Sequence, residues 1–324
     1  MTTLITGAAG FIGMHLVERL LARGETVVGF DNRSGAAEWG LPHARADRLA
    51  GHPRYTDIHG DLIYPRALEK ALHAHQPDTV VHLAARADPA ACNADPHACA
   101  GVHLTGTLHL LEACRAVGID HLLLASTAAV YDPVADADAP TACAETAPAA
   151  QPADFHAASR RAAELLAHGH AAGHGVPVTV ARLFSVHGPW CRPDQIYSDW
   201  ARRILAGEPV AGMAPADHLD IGDAVDALEG LLDAGPPPAA PTPWRICNIA
   251  RGEAVEQTSL VHALATALGQ PAPAIGALNQ AAWPLGDSTP LRALTGWQPR
   301  TDPTAGMARF AAWYCEFHGD DDMD

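Results

Sequence analysis

The chain has 324 residues, enough for one large core or for a nucleotide-binding domain with a smaller cap. Its formal charge is −16, with 20 Arg and a single Lys (Lys70), which argues against a polyanion partner such as nucleic acid. No apolar run approaches the ~20 residues that a bilayer-crossing helix needs, and the N-terminus enters a strand with no basic or apolar leader, so a cytoplasmic protein is expected.

In chain order, strands are expected at 2–6, 26–30, 55–58, 79–83, 121–126 and 178–183, and helices near 11–23, 65–75, 96–117 and 156–173. Such alternation predicts an α/β fold, a Rossmann-type doubly wound parallel sheet with helices on both faces and ligands at the C-terminal strand edge. Beyond residue 185 the pattern loosens and Pro and Gly punctuate it, as in Gly188-Pro189 and Gly235-Pro236-Pro237-Pro238. We read 1–185 as the nucleotide-binding domain and 186–318 as a smaller C-terminal substrate-binding cap. Part of 217–250, namely 223–234 and 245–249, packs back on the first domain in this reading. The acidic run 319–324 is expected to be disordered.

The first strand and helix carry the strongest signal: Thr6-Gly7-Ala8-Ala9-Gly10-Phe11-Ile12-Gly13, with Asp31 at the tip of the next strand, 18 residues beyond Gly13. Glycines let the backbone approach a pyrophosphate at a helix N-terminus, where free N–H groups and the dipole favour an anion. An acid at that spacing accepts hydrogen bonds from a ribose. The pattern therefore predicts a dinucleotide site.

Seven cysteines (Cys92, Cys99, Cys114, Cys143, Cys191, Cys247, Cys315) form no Cys-x-x-Cys pair and are odd in number, as expected of reduced, mostly buried thiols. The nineteen histidines include the pairs His73/His75 and His168/His170, and no His-Glu-x-x-His set. Because two-residue helical spacing does not align ligands, they are read as surface residues and no metal is expected.

Further segments extend the pattern: Gly60-Asp61-Leu62, His82-Leu83-Ala84-Ala85, Gly106-Thr107, Ser126-Thr127-Ala128-Ala129-Val130-Tyr131, Arg182-Leu183-Phe184, Asp220-Ile221-Gly222-Asp223, Asn248-Ile249 and Gly296-Trp297-Gln298-Pro299. Together with the glycine turn they resemble the extended short-chain dehydrogenase/reductase family, in particular its nucleotide-sugar epimerases and dehydratases. The run Gly188-Pro189-Trp190-Cys191-Arg192-Pro193-Asp194 is most similar to the branch that epimerises UDP-glucuronic acid at C4.

The resemblance implies an NAD site. Gly7, Gly10 and Gly13 would cradle the pyrophosphate, with Phe11 and Ile12 opening the helix. Asp31 with Asn32 would hold the adenosine ribose, Asp61 and Leu62 would flank the adenine, and Leu83, Ala84 and Ala85 would line the cofactor. An acid at the ribose position favours NAD over NADP, although Arg33 lies close to it. On the substrate side the resemblance places Arg86, Thr127, Tyr131, Ser185 and Arg192. It also implies a homodimer through the helices near 96–117 and 156–173.

The family's catalytic pair is replaced. No Tyr-x-x-x-Lys exists in the chain; the corresponding run is His156-Ala157-Ala158-Ser159-Arg160, with the register fixed by Ala162-Ala163-Glu164. Positions i and i+4 share a helix face, so His156 and Arg160 would both face the nicotinamide. With an ordinary pKa near 6.5, His156 would act as general base. Arg160 would donate to ribose hydroxyls as a planar fork rather than an ammonium, and Thr127 would bond the reacting oxygen. Ala128 and Ala129 stand where the family's 4,6-dehydratases carry Asp-Glu, which disfavours that elimination; Asp132 replaces the glycine of the Val-Tyr-Gly motif.

Tyr131 reads equally as pocket wall or as packed aromatic. Ser185 replaces a diphosphate-binding asparagine, and Ala216 and Ala277 replace two arginines. Arg192 stands at the pocket, whereas Arg202 and Arg203 read as a solvated helix face. The leading expectation is an NAD-dependent epimerase that oxidises a hydroxyl of a nucleotide-sugar transiently, at C4. Two alternatives stay open: an NAD-dependent dehydratase or oxidoreductase acting on a non-diphosphate sugar or nucleoside, and a non-catalytic NAD-binding regulatory protein.

Overall fold

The computed structural model describes residues 1–34, 40–131, 142–278 and 284–319; Asp132 and the acidic run after Gly319 lie outside them. Strands and helices alternate through the first part: β1 (Thr2–Thr6), α1 (Phe11–Ala22), β2 (Thr26–Asp31), α2 (Leu41–Leu49), β3 (Tyr55–His59), α3 (Pro65–His75), β4 (Thr79–His82), α4 (Pro89–Ala94), α5 (Pro96–Ala100), a π-helical stretch Gly101–Gly106, α6 (Thr107–Val117) and β5 (His121–Thr127). There follow β6 (Ala142–Cys143), α7 (Phe155–His174), β7 (Val178–Leu183), β8 (Ser185–His187), α8 (Ile196–Leu205), β9 (Val210–Gly212), β10 (Ala216–Asp220), α9 (Ile221–Asp233) and β11 (Trp244–Ile249). The C-terminal part adds β12 (Ala254–Val255), α10 (Gln257–Ala267), β13 (Ile275–Leu278), β14 (Leu285–Gly286), α11 (Thr289–Thr295) and α12 (Pro303–His318).

Seven strands form one parallel sheet in the order β11-β7-β5-β4-β1-β2-β3, so the strand order reverses beside β1. This is the doubly wound α/β sheet that the alternation predicts, and its crevice opens between the ends of β1 and β4. Strands of such a sheet bury both faces. Leu4, Val28 and Val80 pack with α3, α6 and α7 on one side, while Ile5, Val27 and Val81 pack with α1 and α9 on the other. Residues 245–249 form the sheet's last strand beside β7. Helix α9 docks on α1 through Arg19 to Asp226 and Glu229, and through Arg23 to Glu229 and Asp233.

Two elements differ from expectation. The single helix over 96–117 is broken by the π stretch between Gly101 and Gly106, where Leu62 leaves no room: a Cβ on Gly106 would sit 2.8 Å from Leu62 Cβ. The wider turn carries His103 into the interior. Helix α2 is absent from the expected elements, yet Leu41, Arg45 and Leu49 follow each other at i, i+4 and i+8 and are all buried.

Cys92 and Cys99 form a disulfide, whereas Cys114, Cys143, Cys191, Cys247 and Cys315 are free. The expectation of seven reduced thiols is corrected accordingly. α4 and α5 follow one another with almost no linker, which brings positions seven apart face to face. The reading of the histidines as surface residues holds for His73, His75 and His168 but is corrected for His170, and His82, His103, His121, His187 and His218 are buried as well.

Helix α7 is fixed from beneath by Glu164. Its carboxylate accepts bonds from Ser126 Oγ at 2.6 Å, Arg182 Nε at 2.9 Å and Nη2 at 2.8 Å, and Arg161 Nη1 at 2.7 Å. Burial alone raises the pKa of such a carboxyl, but these donors outweigh it and hold Glu164 below its ordinary value. Its contribution is therefore present above the unfolded pKa and is lost as pH falls through the folded one. Glu164→Ala leaves Arg182 buried and unpaired, and should lower stability by roughly 3–5 kcal/mol. Urea unfolding at pH 7 checks this; an unchanged midpoint would contradict the role assigned to the cluster.

Candidate functional site

The crevice beside β1 is built from backbone. Gly7 turns with φ 76°, its N–H donates to Phe30 O at 2.9 Å, and the N–H of Gly10 donates to Gly7 O at 2.9 Å. Helix α1 starts at Phe11 with no side-chain cap, leaving its first N–H groups open toward the crevice. A Cβ at Gly13 would lie 2.0 Å from Gly7 O, and one at Gly7 would lie 2.6 Å from Ala84 N. Phe11 is buried and anchors the helix; Ile12 is half-buried. The loop therefore lies directly against Leu83-Ala84-Ala85 at the end of β4.

Asp31 closes the near end. Its Oδ2 accepts from Ala9 N at 3.0 Å and its Oδ1 from Arg33 N at 2.6 Å. Burial raises its pKa, opposed by these two bonds. Asn32 Nδ2 donates to Asp61 Oδ2 at 2.8 Å, Asp61 Oδ1 accepts from Ile63 N at 3.0 Å, and Leu62 is buried beside them. The Arg33 guanidinium, beside Asp31 in sequence, pairs with Asp57. Sequence reasoning missed Arg45. This buried cation on α2 bonds Ala9 O at 3.3 Å and Trp190 O, and burial lowers its pKa to about 10.

At the other end of the crevice, His82 bonds Thr6 Oγ1 at 2.7 Å and Thr107 Oγ1 at 3.1 Å, and burial keeps it neutral, its pKa lowered to about 3. The N–H of Arg86 donates to His103 Nε2 at 3.1 Å, so His103 carries its proton on Nδ1 and donates to Ser159 Oγ at 2.7 Å. Ser159 in turn donates to His156 O at 2.9 Å. Thr127 ends β5 half-buried, with Oγ1 accepting from Ala129 N at 3.2 Å.

Asp154 caps α7 by accepting from Ala157 N at 2.8 Å. His156 and Arg160 follow on one buried face. The ordinary pKa expected of His156 is corrected: burial, and then the Arg160 charge, lower it to about 4. Its ring is 5.6 Å from that of His103, and its Nδ1 is buried without a partner. Arg160 is pushed down to about 10 by burial, partly offset by Glu164. Its Nη2 donates to Ala125 O, leaving Nη1 as the unpaired donor, so the expected fork to the ribose is reduced to one arm.

The substrate-side residues fare differently. Of the two readings of Tyr131, the geometry favours the packed aromatic: it is fully buried, donates to Asn248 Oδ1 at 2.7 Å, and carries the Arg182 guanidinium 4.8 Å over its ring. Ser185 is exposed at the start of β8. Arg192 is held by both oxygens of Asp194, at 2.9 and 2.8 Å, and reaches Ala87 O at 3.2 Å. Arg86 leaves a buried Nε without a partner. Ala216 is buried in β10 and Ala277 is exposed in β13. Arg202 and Arg203 pair with Asp199 on the helix surface.

The crevice fits a dinucleotide: a cradle that a Cβ would fill, open helix N–H groups, an acid at the near end, and unpartnered donors on Arg45, Arg86 and Arg160 along its walls. Toward the far end lie the His156 imidazole and the Arg160 guanidinium on one face of α7, and the Thr127 hydroxyl at the end of β5.

The comparisons agree with this geometry. The profile of the NAD dependent epimerase/dehydratase family matches residues 3–249. A protein of Rhizobium meliloti (strain 1021) described as a probable UDP-glucuronate 4-epimerase is 32% identical over 334 residues, 97% of each chain. The Thermus thermophilus UDP-glucose 4-epimerase, solved in complex with NAD, is 28% identical with a TM-score of 0.78, covering 98% of this chain and 99% of that one. The Bacillus cereus UDP-glucuronic acid 4-epimerase, solved with UDP-glucuronic acid and NAD, shares the fold with a TM-score of 0.84 at 23% identity, over 98% and 99% of the two chains. Matched over three quarters of its length, the chain belongs to the NAD dependent epimerase/dehydratase family.

Proposed function

We propose that this protein is an NAD-dependent epimerase acting at C4 of a UDP-linked sugar, UDP-glucuronate first. What supports the reading is the glycine cradle at the start of α1 together with the match to the NAD dependent epimerase/dehydratase family over residues 3–249; in it His156, one helical turn before Arg160, acts as the base. The curated relative that matches at 32% over almost the full length supports the substrate class. In this reading residues 1–185, with part of 217–250, hold NAD and 186–318 form the cap over the sugar. Gly7, Gly10 and Gly13 with the start of α1 hold the pyrophosphate. Asp31 and Asn32 take the adenosine ribose, Asp61 and Leu62 the adenine side, and Leu83 to Ala85 the wall.

When bound, NAD supplies a reversible two-electron acceptor for the sugar carbon. Thr127 Oγ1 orients the sugar hydroxyl, and the His156 imidazole takes its proton. The same burial and Arg160 charge that keep the ring neutral make its conjugate acid a strong donor, so the proton goes back readily to the keto oxygen. The single free arm of Arg160 holds a ribose hydroxyl. Arg86 and Arg192 meet the sugar carboxylate or phosphate.

A second reading is favoured by Ala216 and Ala277. Two lost cations remove charge-assisted contacts worth roughly 1.5–3 kcal/mol each, which suits a sugar or nucleoside without a diphosphate. The cytoplasm is the proposed compartment, supported by five free thiols and opposed by the one disulfide, Cys92–Cys99. Among the described residues no helix is long and apolar enough to cross a membrane.

Proton NMR of the NAD-loaded protein with UDP-glucuronic acid in D2O should show a new anomeric signal with no solvent deuterium at carbon. His156→Ala should lower turnover by about 100-fold or more. With the folded His156 pKa lowered to about 4, the acid limb of the rate should fall well below the ordinary histidine range, because the ring is unprotonated above it. No turnover of UDP-sugars moves the reading to a non-diphosphate substrate; turnover untouched by His156→Ala refutes the base.

Asp31→Ala should release co-purifying NAD, weakening binding by roughly ten- to hundredfold if its ribose bonds are charge-assisted. Chromatography of the extracted nucleotide measures this, with circular dichroism as the check on folding. We further infer a homodimer through α6 and α7. Sedimentation at micromolar concentration should give twice the chain mass, and a monomer there overturns the inference.

A further inference from the structure

A second cluster lies away from the crevice, on the seam between α6 and α7. Glu112 projects from α6, and His170 and His174 from the last turns of α7, spaced i and i+4 on one helix face. One donor atom from each residue falls within 4.8 Å of the others. We propose that Glu112, His170 and His174 bind a divalent transition-metal ion, zinc first, outside the catalytic crevice.

Three observations carry this beyond proximity. His170 Nε2 stands 3.4 Å from Glu112 Oε1. A tetrahedral zinc with bonds of about 2.0–2.1 Å needs its ligand atoms about 3.3–3.4 Å apart, so this edge is already at ligating separation. Glu112 is also oriented for it: Arg115 Nη2 donates to Oε2 at 2.7 Å, which fixes the carboxylate and leaves Oε1 toward the histidines. The histidine rings lie 5.2 Å apart, on a helix whose other end is pinned by Glu164.

The chemistry of the set selects the ion. Two imidazoles and one carboxylate suit zinc, nickel or copper and are poor for calcium or magnesium, which take oxygen ligands. His170 is buried, which holds its ring in place between the two helices. His174 is exposed and the Glu112 side chain is half-exposed, so the fourth position is open to water or to a ligand from a second molecule. A bound ion would tie α6 to the helix that carries His156 and Arg160.

The test uses the untagged full-length protein, stripped with EDTA and returned to chelator-free buffer at mildly alkaline pH. Calorimetric titration with Zn2+ should saturate at one ion per chain, and thermal unfolding should move upward with zinc. Glu112 and His174 lie on the helices of the inferred dimer, so His174→Gln and Glu112→Gln are checked by sedimentation and NAD content, and both should match the parent protein. Each should weaken zinc binding by about tenfold or more. Cys92→Ser with Cys99→Ser should retain the same stoichiometry, which separates this site from the sulfur pair near His103. Absence of zinc uptake, or uptake unchanged in the Glu112→Gln/His174→Gln double variant, overturns the proposal.

Discussion

The geometry of the catalytic crevice depends on one buried carboxylate. Glu164 collects four hydrogen bonds from β5, β7 and its own helix, and so locks α7 to the sheet from the inside. It is also the negative charge facing Arg160, one turn above. Without it a fully buried guanidinium at that position would have no counter-charge, and the helix would carry Arg160 at a large desolvation cost. His156 sits one further turn toward the N-terminus, so the placement of His156, Arg160 and Glu164 follows from a single i, i+4, i+8 stripe on one helix.

Much of the fold is legible in the chain. The runs at 2–6, 26–30, 55–58, 79–83, 121–126 and 178–183 are each a strand of the parallel sheet; the inner ones are apolar because both their faces are buried, while Tyr55–His59, at the edge, is only half-buried. The seventh strand, Trp244–Ile249, reads only as a regular segment packing back, since its Arg245 and Asn248 interrupt the apolar run. Helix α2 escapes because its buried stripe includes Arg45, which hydropathy counts as surface. The break at Gly101–Gly106 escapes because glycines are tolerated in a helix and the cause, Leu62, lies on a different element far back in the chain.

The site is legible where backbone geometry demands a residue type, and less so where charge is set by surroundings. Gly7, Gly10, Gly13 and Asp31 can be read directly, because a close backbone approach and a ribose acid have few solutions. The pKa of His156 cannot: it depends on Arg160 and on enclosure by residues distant in sequence. Tyr131 is ambiguous for the same reason, its role being decided by Asn248, 117 positions later. The Cys92–Cys99 bond and the seven buried histidines likewise reflect tertiary enclosure. In a chain with one lysine, histidine and arginine fill interior polar positions as well as the surface.

Arg45 joins two parts of the molecule that the chain keeps far apart. Its guanidinium bonds the carbonyl of Ala9 in the glycine loop and that of Trp190, whose left-handed backbone is held between Trp313, Phe317 and Arg48. Moving the 188–194 loop outward would break one of these bonds and strand a buried cation. One buried side chain thus sets the spacing between the first turn of the sheet and a loop far later in the chain, so a change of charge at position 45 would be felt at both.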